Sequence, residues 1–87
     1  MWLKECPNCD QGLLVPMVSA EGTVILFCDS ADCTWLDPES VDTADAIYPD
    51  TATWAVTSEI HLTPGKTREA AREDLPPAWR DEYDWNG

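Results

Sequence analysis

Cys6, Cys9, Cys28 and Cys33 are the side chains best suited to chemistry. They read as C-x2-C, an interval of eighteen residues, then C-x4-C. Two close pairs separated by a hairpin's length is the spacing of a four-thiolate metal site. A short Cys-x-x-Cys turn aims two sulfurs at one point, and a hairpin returns the second turn beside the first. A zinc ion then completes a tetrahedron with Zn–S of about 2.3 Å. Four cysteine ligands leave no position open for water, so the expected role of the zinc is structural rather than catalytic.

Four other readings suit the same residues. Reduced buried thiols need no partner at all, and two disulfides need an oxidising compartment, yet the opening Met-Trp-Leu-Lys-Glu-Cys lacks the apolar run of an export signal. The expected location is therefore cytoplasmic. A redox dithiol at Cys6-Pro7-Asn8-Cys9 needs a strand before it and a helix after it, and only five residues precede Cys6. Iron takes the same thiolates. The longer gap of the second pair makes the site less symmetric than a rubredoxin iron centre, and zinc is the expected metal.

The elements that must position these thiols flank them. Leu13–Ser19 and Thr23–Cys28 read as hairpin strands around the loop Ala20-Glu21-Gly22. Thr-Val-Ile-Leu-Phe is rich in β-branched and aromatic residues. Pro16 cannot donate to a ladder and marks its strand as an edge. Thr34-Trp35-Leu36 is expected to return as a third strand. The two cysteine turns around this hairpin resemble a zinc ribbon over Cys6 to Leu36, and the first turn is similar to that family's C-P-x-C knuckle. Asp10 stands where glycine is common, and the second gap exceeds the family's usual two residues. The resemblance implies a structural zinc. It says little about role, because ribbons serve many functions.

Asp37-Pro38-Glu39 has the residue order of a helix start, with a capping carboxylate, proline at the first position and an acid near the positive dipole end. The expected helix puts Val41, Ala44 and Tyr48 on one face and ends before Pro49. Trp54–Leu62 alternates as a half-buried strand. Thr67–Asp74 suits a short helix, Pro76-Pro77 breaks it, and Ala78–Trp85 allows a final turn or two. The fold class is therefore a small α+β domain: a zinc ribbon with an antiparallel β-sheet plus one or two short helices. Residues 1–87 form a single domain, with a ribbon at 6–36 and an extension at 37–87 packing on it.

Charge narrows the function. Seventeen acidic residues against five basic ones give −12. Four zinc-bound thiolates would take this to about −14, because the site itself carries two negative charges. Phosphate binding needs clustered Lys and Arg, so direct nucleic-acid binding is not expected, nor is an anionic membrane surface. No apolar run is long enough to span a bilayer. Four of the five basic residues, Lys66, Arg68, Arg72 and Arg80, lie in the last quarter. They are expected to pair locally with acids such as Glu69 and Glu73.

Catalysis finds little support. His61 is the one imidazole, in an expected exposed strand position and without a recognisable nucleophile partner. No glycine-rich phosphate loop occurs, and the chain is not expected to be an enzyme. Trp35 and Trp54 are expected in the core. The expected partner is a basic protein, met by Asp37, Glu39, Asp42, Asp45 and Asp50 together with Trp79, Tyr83 and Trp85. In size, charge and scaffold the chain resembles small acidic bacterial immunity and inhibitor proteins, which implies neutralisation of a nuclease-type partner. The alternative is an adaptor or accessory zinc ribbon of a transcription or replication complex.

Overall fold

The computed structural model describes residues 1–9 and 11–87. Its elements follow from one apolar run. Leu14–Val18 (β1) and Val24–Cys28 (β2) pair antiparallel, from Leu14 opposite Cys28 to Val18 opposite Val24. Gly22, at φ 90°, supplies the left-handed residue in the connecting turn. Thr34–Trp35 (β3) pairs with Leu26 and Phe27 on the other side of β2. After it come a one-turn helix Ser40–Thr43 (α1), a separate hairpin of Ala55–Thr57 (β4) and Ile60–His61 (β5), a short strand Arg68–Glu69 (β6), a 3-10 turn at Arg72–Asp74, and helix Pro77–Glu82 (α2). The order in the main sheet is β3-β2-β1-β6, and β4–β5 form a second antiparallel sheet. This is the expected α+β class, with two short helices among the described residues.

Both faces of the main sheet are covered, which is why β2 is apolar at every position instead of alternating. On one face Leu14, Leu26, Cys28 and Trp35 pack with Cys6, Cys33 and Val41, against partly buried Trp79 and Trp85. Val18, Ala70 and Leu75 extend that layer. On the opposite face Ile25, with Met17 and Phe27, is capped by Val56, Ile60 and Leu62 of the second hairpin region. The sequence distant from the cysteines thus builds both covers.

Four expectations about local structure give way to tertiary pairing. Pro16 does not mark an edge: β1 lies between β2 and β6. Its polar groups face away from β2, where Ala70 N–H donates to Pro16 O at 2.9 Å and no donor is needed in return. Leu14, two residues earlier, bonds instead to Leu3 and Lys4. The proline sits where one covering segment hands over to the other. The helix expected up to Pro49 stops after one turn, because Ile47 exchanges two backbone hydrogen bonds with buried Thr34 at 2.8 and 2.9 Å. Val41 is buried as expected, while Ala44 and Tyr48 are exposed.

Trp54–Leu62 is not one strand but a hairpin that turns at Ser58 and Glu59. Trp54 adopts φ 63° before it and sits at the rim, 36% exposed, rather than in the core. Trp35, in contrast, is buried. Thr67–Asp74 is not helical throughout: its first part becomes β6, opposite Met17 and Val18, and only its end winds into a 3-10 turn. The good helix formers there are overruled by an open strand edge on β1. The final helix agrees with expectation, and it begins with Pro77 where a missing N–H costs nothing.

Candidate metal centre

Each cysteine pair lies in a loop closed by a backbone hydrogen bond. Cys6 N–H donates to Gly12 O at 2.7 Å around the first, and Cys28 N–H donates to Cys33 O at 2.9 Å around the second. The loops are joined side by side: Asp29 N–H donates to Leu13 O, and the Asp29 carboxylate accepts from Leu13 N–H at 2.8 Å. The hairpin therefore carries both turns to one end of β1 and β2.

There the sulfurs of Cys6, Cys28 and Cys33 all lie within 4.8 Å of one another, and all three residues are buried. Cys9, half-buried, stands beside them with its sulfur 3.4 Å from that of Cys28. The sulfur–sulfur edge of a tetrahedral zinc–thiolate site is about 3.8 Å, from Zn–S of about 2.3 Å. The trio therefore has the spacing of metal ligands, Cys9 stands beside Cys28, and all four cysteines are free thiols. The sequence put four equivalent ligands here. The structure brings three into a mutual cluster and places the fourth at its side.

The protein prepares these sulfurs unequally. Burial pushes the Cys6 thiol up to about 12, although the amides of Cys9 and Asn8 favour its thiolate. Burial also raises Cys28, against the amides of Ser30 and Ala31. Cys9 is drawn down to about 7 by the Gln11 amide, the Cys28 side chain and the Gly12 amide. Amides two and three residues after each of these cysteines thus turn toward its sulfur. Buried thiolates without a cation are costly, so Cys6 and Cys28 favour their protonated forms unless a metal ion replaces the protons.

Three residues that the spacing argument passed over complete the site. An added Cβ at Gly12 would lie 2.3 Å from Cys28 Sγ, so only glycine lets the first loop close over this sulfur. Asn8 Nδ2 donates to Cys33 Sγ at 3.2 Å and to the Tyr48 hydroxyl at 2.6 Å. Support of a ligand by an outer hydrogen bond is a recurrent feature of metal sites. The glycine three residues after the first cysteine pair was a visible signal. Tyr48 was not, because its approach depends on the chain leaving α1 early. The departure at Asp10 lies outside the described residues.

The expected partner-facing residues divide into three groups. Asp37 is locked by Ser40, whose amide donates to its carboxylate at 2.8 Å; Asp50 caps the amides of Ala52 and Thr53 at 2.7 and 2.9 Å. Those two amides hold the Asp50 carboxyl below its ordinary value. Asp42 pairs with Lys4 at 3.0 Å, while Glu39 and Asp45 are exposed. Trp79 and Trp85 pack on the core, with Trp85 Nε1 donating to Trp79 O at 2.8 Å, and Tyr83 is half-buried. Arg68 pairs with Asp74, at 2.7 and 3.1 Å from its two oxygens, rather than with Glu69 or Glu73.

His61 has a structural employment. The Glu21 carboxylate accepts its backbone N–H at 2.9 Å with one oxygen and meets the ring Nδ1 with the other. This ties the β1–β2 turn to β5, and the His61 amide is the main reason the Glu21 carboxyl titrates below its ordinary value.

Among the described residues, no helix is long and apolar enough to cross a membrane. No family model matches the chain, and no solved structure matches it. An uncharacterized protein of Acanthamoeba polyphaga mimivirus is 41% identical over 51 residues, which covers 52% of this chain. The chain spans 41% of that protein's length.

Proposed function

We propose that the four cysteines hold one structural zinc ion and that the chain is a metal-stapled binding module for a basic protein. The thiol cluster supports the first half. Its donors are all sulfur, they converge from two loops, and Gly12 is shaped to Cys28. An all-thiolate set disfavours hard cations such as magnesium and calcium and suits zinc.

The single observation that carries the second half is the unbalanced surface charge. Acids outnumber bases by seventeen to five, and two of the five bases, Lys4 and Arg68, are already committed to Asp42 and Asp74. A negative field of this kind steers a positive partner and speeds its association. The biological form of such an interaction is inhibition: an acidic domain without catalytic groups fills the basic cleft of a nuclease-type enzyme, as an immunity protein does. Zinc supplies only rigidity in this scheme, while the exposed carboxylates recognise the partner.

The test combines metal analysis with a binding assay. The purified chain is expected to carry one zinc, and an excess of a chelator is expected to release it. Titration of the zinc-loaded chain into basic nucleases by calorimetry is expected to find a complex whose association slows steeply with salt and whose formation stops cleavage. Iron or an iron–sulfur cluster in the purified chain would overturn the zinc assignment. Binding that leaves enzyme activity intact, or that ignores salt, would overturn the inhibitor reading.

A further inference from the structure

One groove brings expected recognition residues from distant parts of the chain together. Ala78, Trp79 and Glu82 fall on one face of α2, and Tyr83 follows just past its end in extended backbone. That face of α2 looks across a groove at the turn Asp37-Pro38-Glu39. The groove therefore has acidic residues on both walls, Asp37 and Glu39 on one and Glu82 on the other, and Trp79 and Tyr83 line it on the Glu82 side. None of its lining residues is basic, and Arg80, the one cation of α2, lies on another side of the helix.

The walls are held before any ligand arrives. Asp37 is fixed from both sides: its carboxylate accepts the Ser40 amide, and Ser40 Oγ donates to Asp37 O at 2.8 Å. Trp79 is packed against the core clusters and receives the Trp85 indole at its carbonyl. Pre-organisation of this kind lowers the ordering cost of binding. The open volume is about 230 Å³, below the ~300 Å³ at which small-molecule pockets begin. It suits one long side chain rather than a peptide segment.

We infer that this groove receives a single arginine side chain of the basic partner. The inference rests on the partner class proposed above and deepens it. Carboxylates alone would serve lysine as well as arginine. The aromatic residues favour arginine, because a guanidinium is planar, stacks on aromatic side chains and pairs with a carboxylate through two parallel hydrogen bonds. The remaining exposed acids then steer the partner without fixing its orientation, and this groove sets the register.

The test uses the zinc-loaded chain and three small probes: N-acetyl-arginine amide, its neutral citrulline isostere, and N-acetyl-lysine amide. Nuclear magnetic resonance titration is expected to show saturable shifts confined to residues 37–39 and 78–83, with a Kd on the order of 10 mM. Citrulline is expected to bind at least about tenfold more weakly, since it lacks the charge. Glu39→Gln and Glu82→Gln change exposed side chains and are each expected to weaken arginine binding about threefold. Asp45→Asn, an exposed acid outside the groove, is expected to leave it unchanged. Shifts that spread over all surface acids without saturating would overturn the inference, as would equal binding of citrulline or tighter binding of lysine. The two proposals fail separately. A basic enzyme bound equally well by the Glu39→Gln/Glu82→Gln variant would refute the groove and leave the partner class standing. Saturable arginine binding by a chain that binds no basic protein would do the reverse.

Discussion

The two faces of the main sheet are sealed by different chemistry. One face joins Leu14 and Leu26 to the sulfurs of Cys6, Cys28 and Cys33. The other joins Ile25 to Val56 and Leu62. The second is ordinary hydrophobic burial, in which each side chain contributes the area it removes from water. The first contains groups that must be deprotonated to bind a metal and are costly to bury as anions. Covering area is enough to form the aliphatic face, whereas the sulfur face also has the spacing to hold a metal ion. A small chain with a limited apolar interior gains most from such a staple.

This contrast can be broken most sharply at the sulfurs. Cys28→Ser is expected to abolish zinc binding and to remove most of the cooperative melting transition. Structural zinc contributes apparent binding energies of about 10–16 kcal/mol in small zinc-dependent peptides, and that energy is folding energy. Circular dichroism melts with parallel metal analysis read both effects. A variant that melts like the parent would end the claim that the two faces differ.

Leu62→Ala should act on the aliphatic face alone. Truncation of a buried leucine costs about 2–5 kcal/mol through lost transfer energy and the cavity left behind. Leu62 is 7% exposed at the rim of the layer, which places the expected loss at the low end, about 2 kcal/mol. Denaturant unfolding would measure the loss, and zinc affinity in a chelator competition is expected to stay unchanged. A matching fall in zinc affinity would show that the faces are one cooperative unit.

The smallest effect is expected at the sheet edge, where β6 is tied down by Arg68 and Asp74. Arg68 and the Ala71 amide hold the Asp74 carboxyl at about 2, below its ordinary 3.8. A depressed carboxyl contributes stability above its unfolded value and loses it as pH falls through the folded one. Asp74→Asn should therefore melt slightly below the parent at neutral pH, and the two should converge as pH falls from 3.8 toward 2. A gap that persists below this window would assign the difference to packing of the 3-10 turn rather than to charge.

The hairpin that carries the cysteines was legible almost residue by residue. Its strands keep to within one residue of the apolar run, and Gly22 occupies the turn position that favours glycine. The rest of the chain misled local reading for one physical cause. Ile47, Arg68 and Glu69 form bridges or strands because β3 and β1 offer unpaired backbone groups there, and those groups belong to residues 13 to 52 positions away. Their own side chains carry no mark of that demand.

The site divides in the same way. Thiol spacing alone determined that a metal centre was the expected chemistry, because only a few spacings bring four short side chains to one point. The composition alone determined the sign of the surface field. Which thiols cluster, how Gly12 and Asn8 close over them, and which carboxylates gather beside Trp79 were decided by the tertiary structure. Those outcomes depend on where the long extension lands on each face of the sheet. That landing is a matter of packing and hydrogen-bond satisfaction between residues far apart in sequence, which no local pattern encodes.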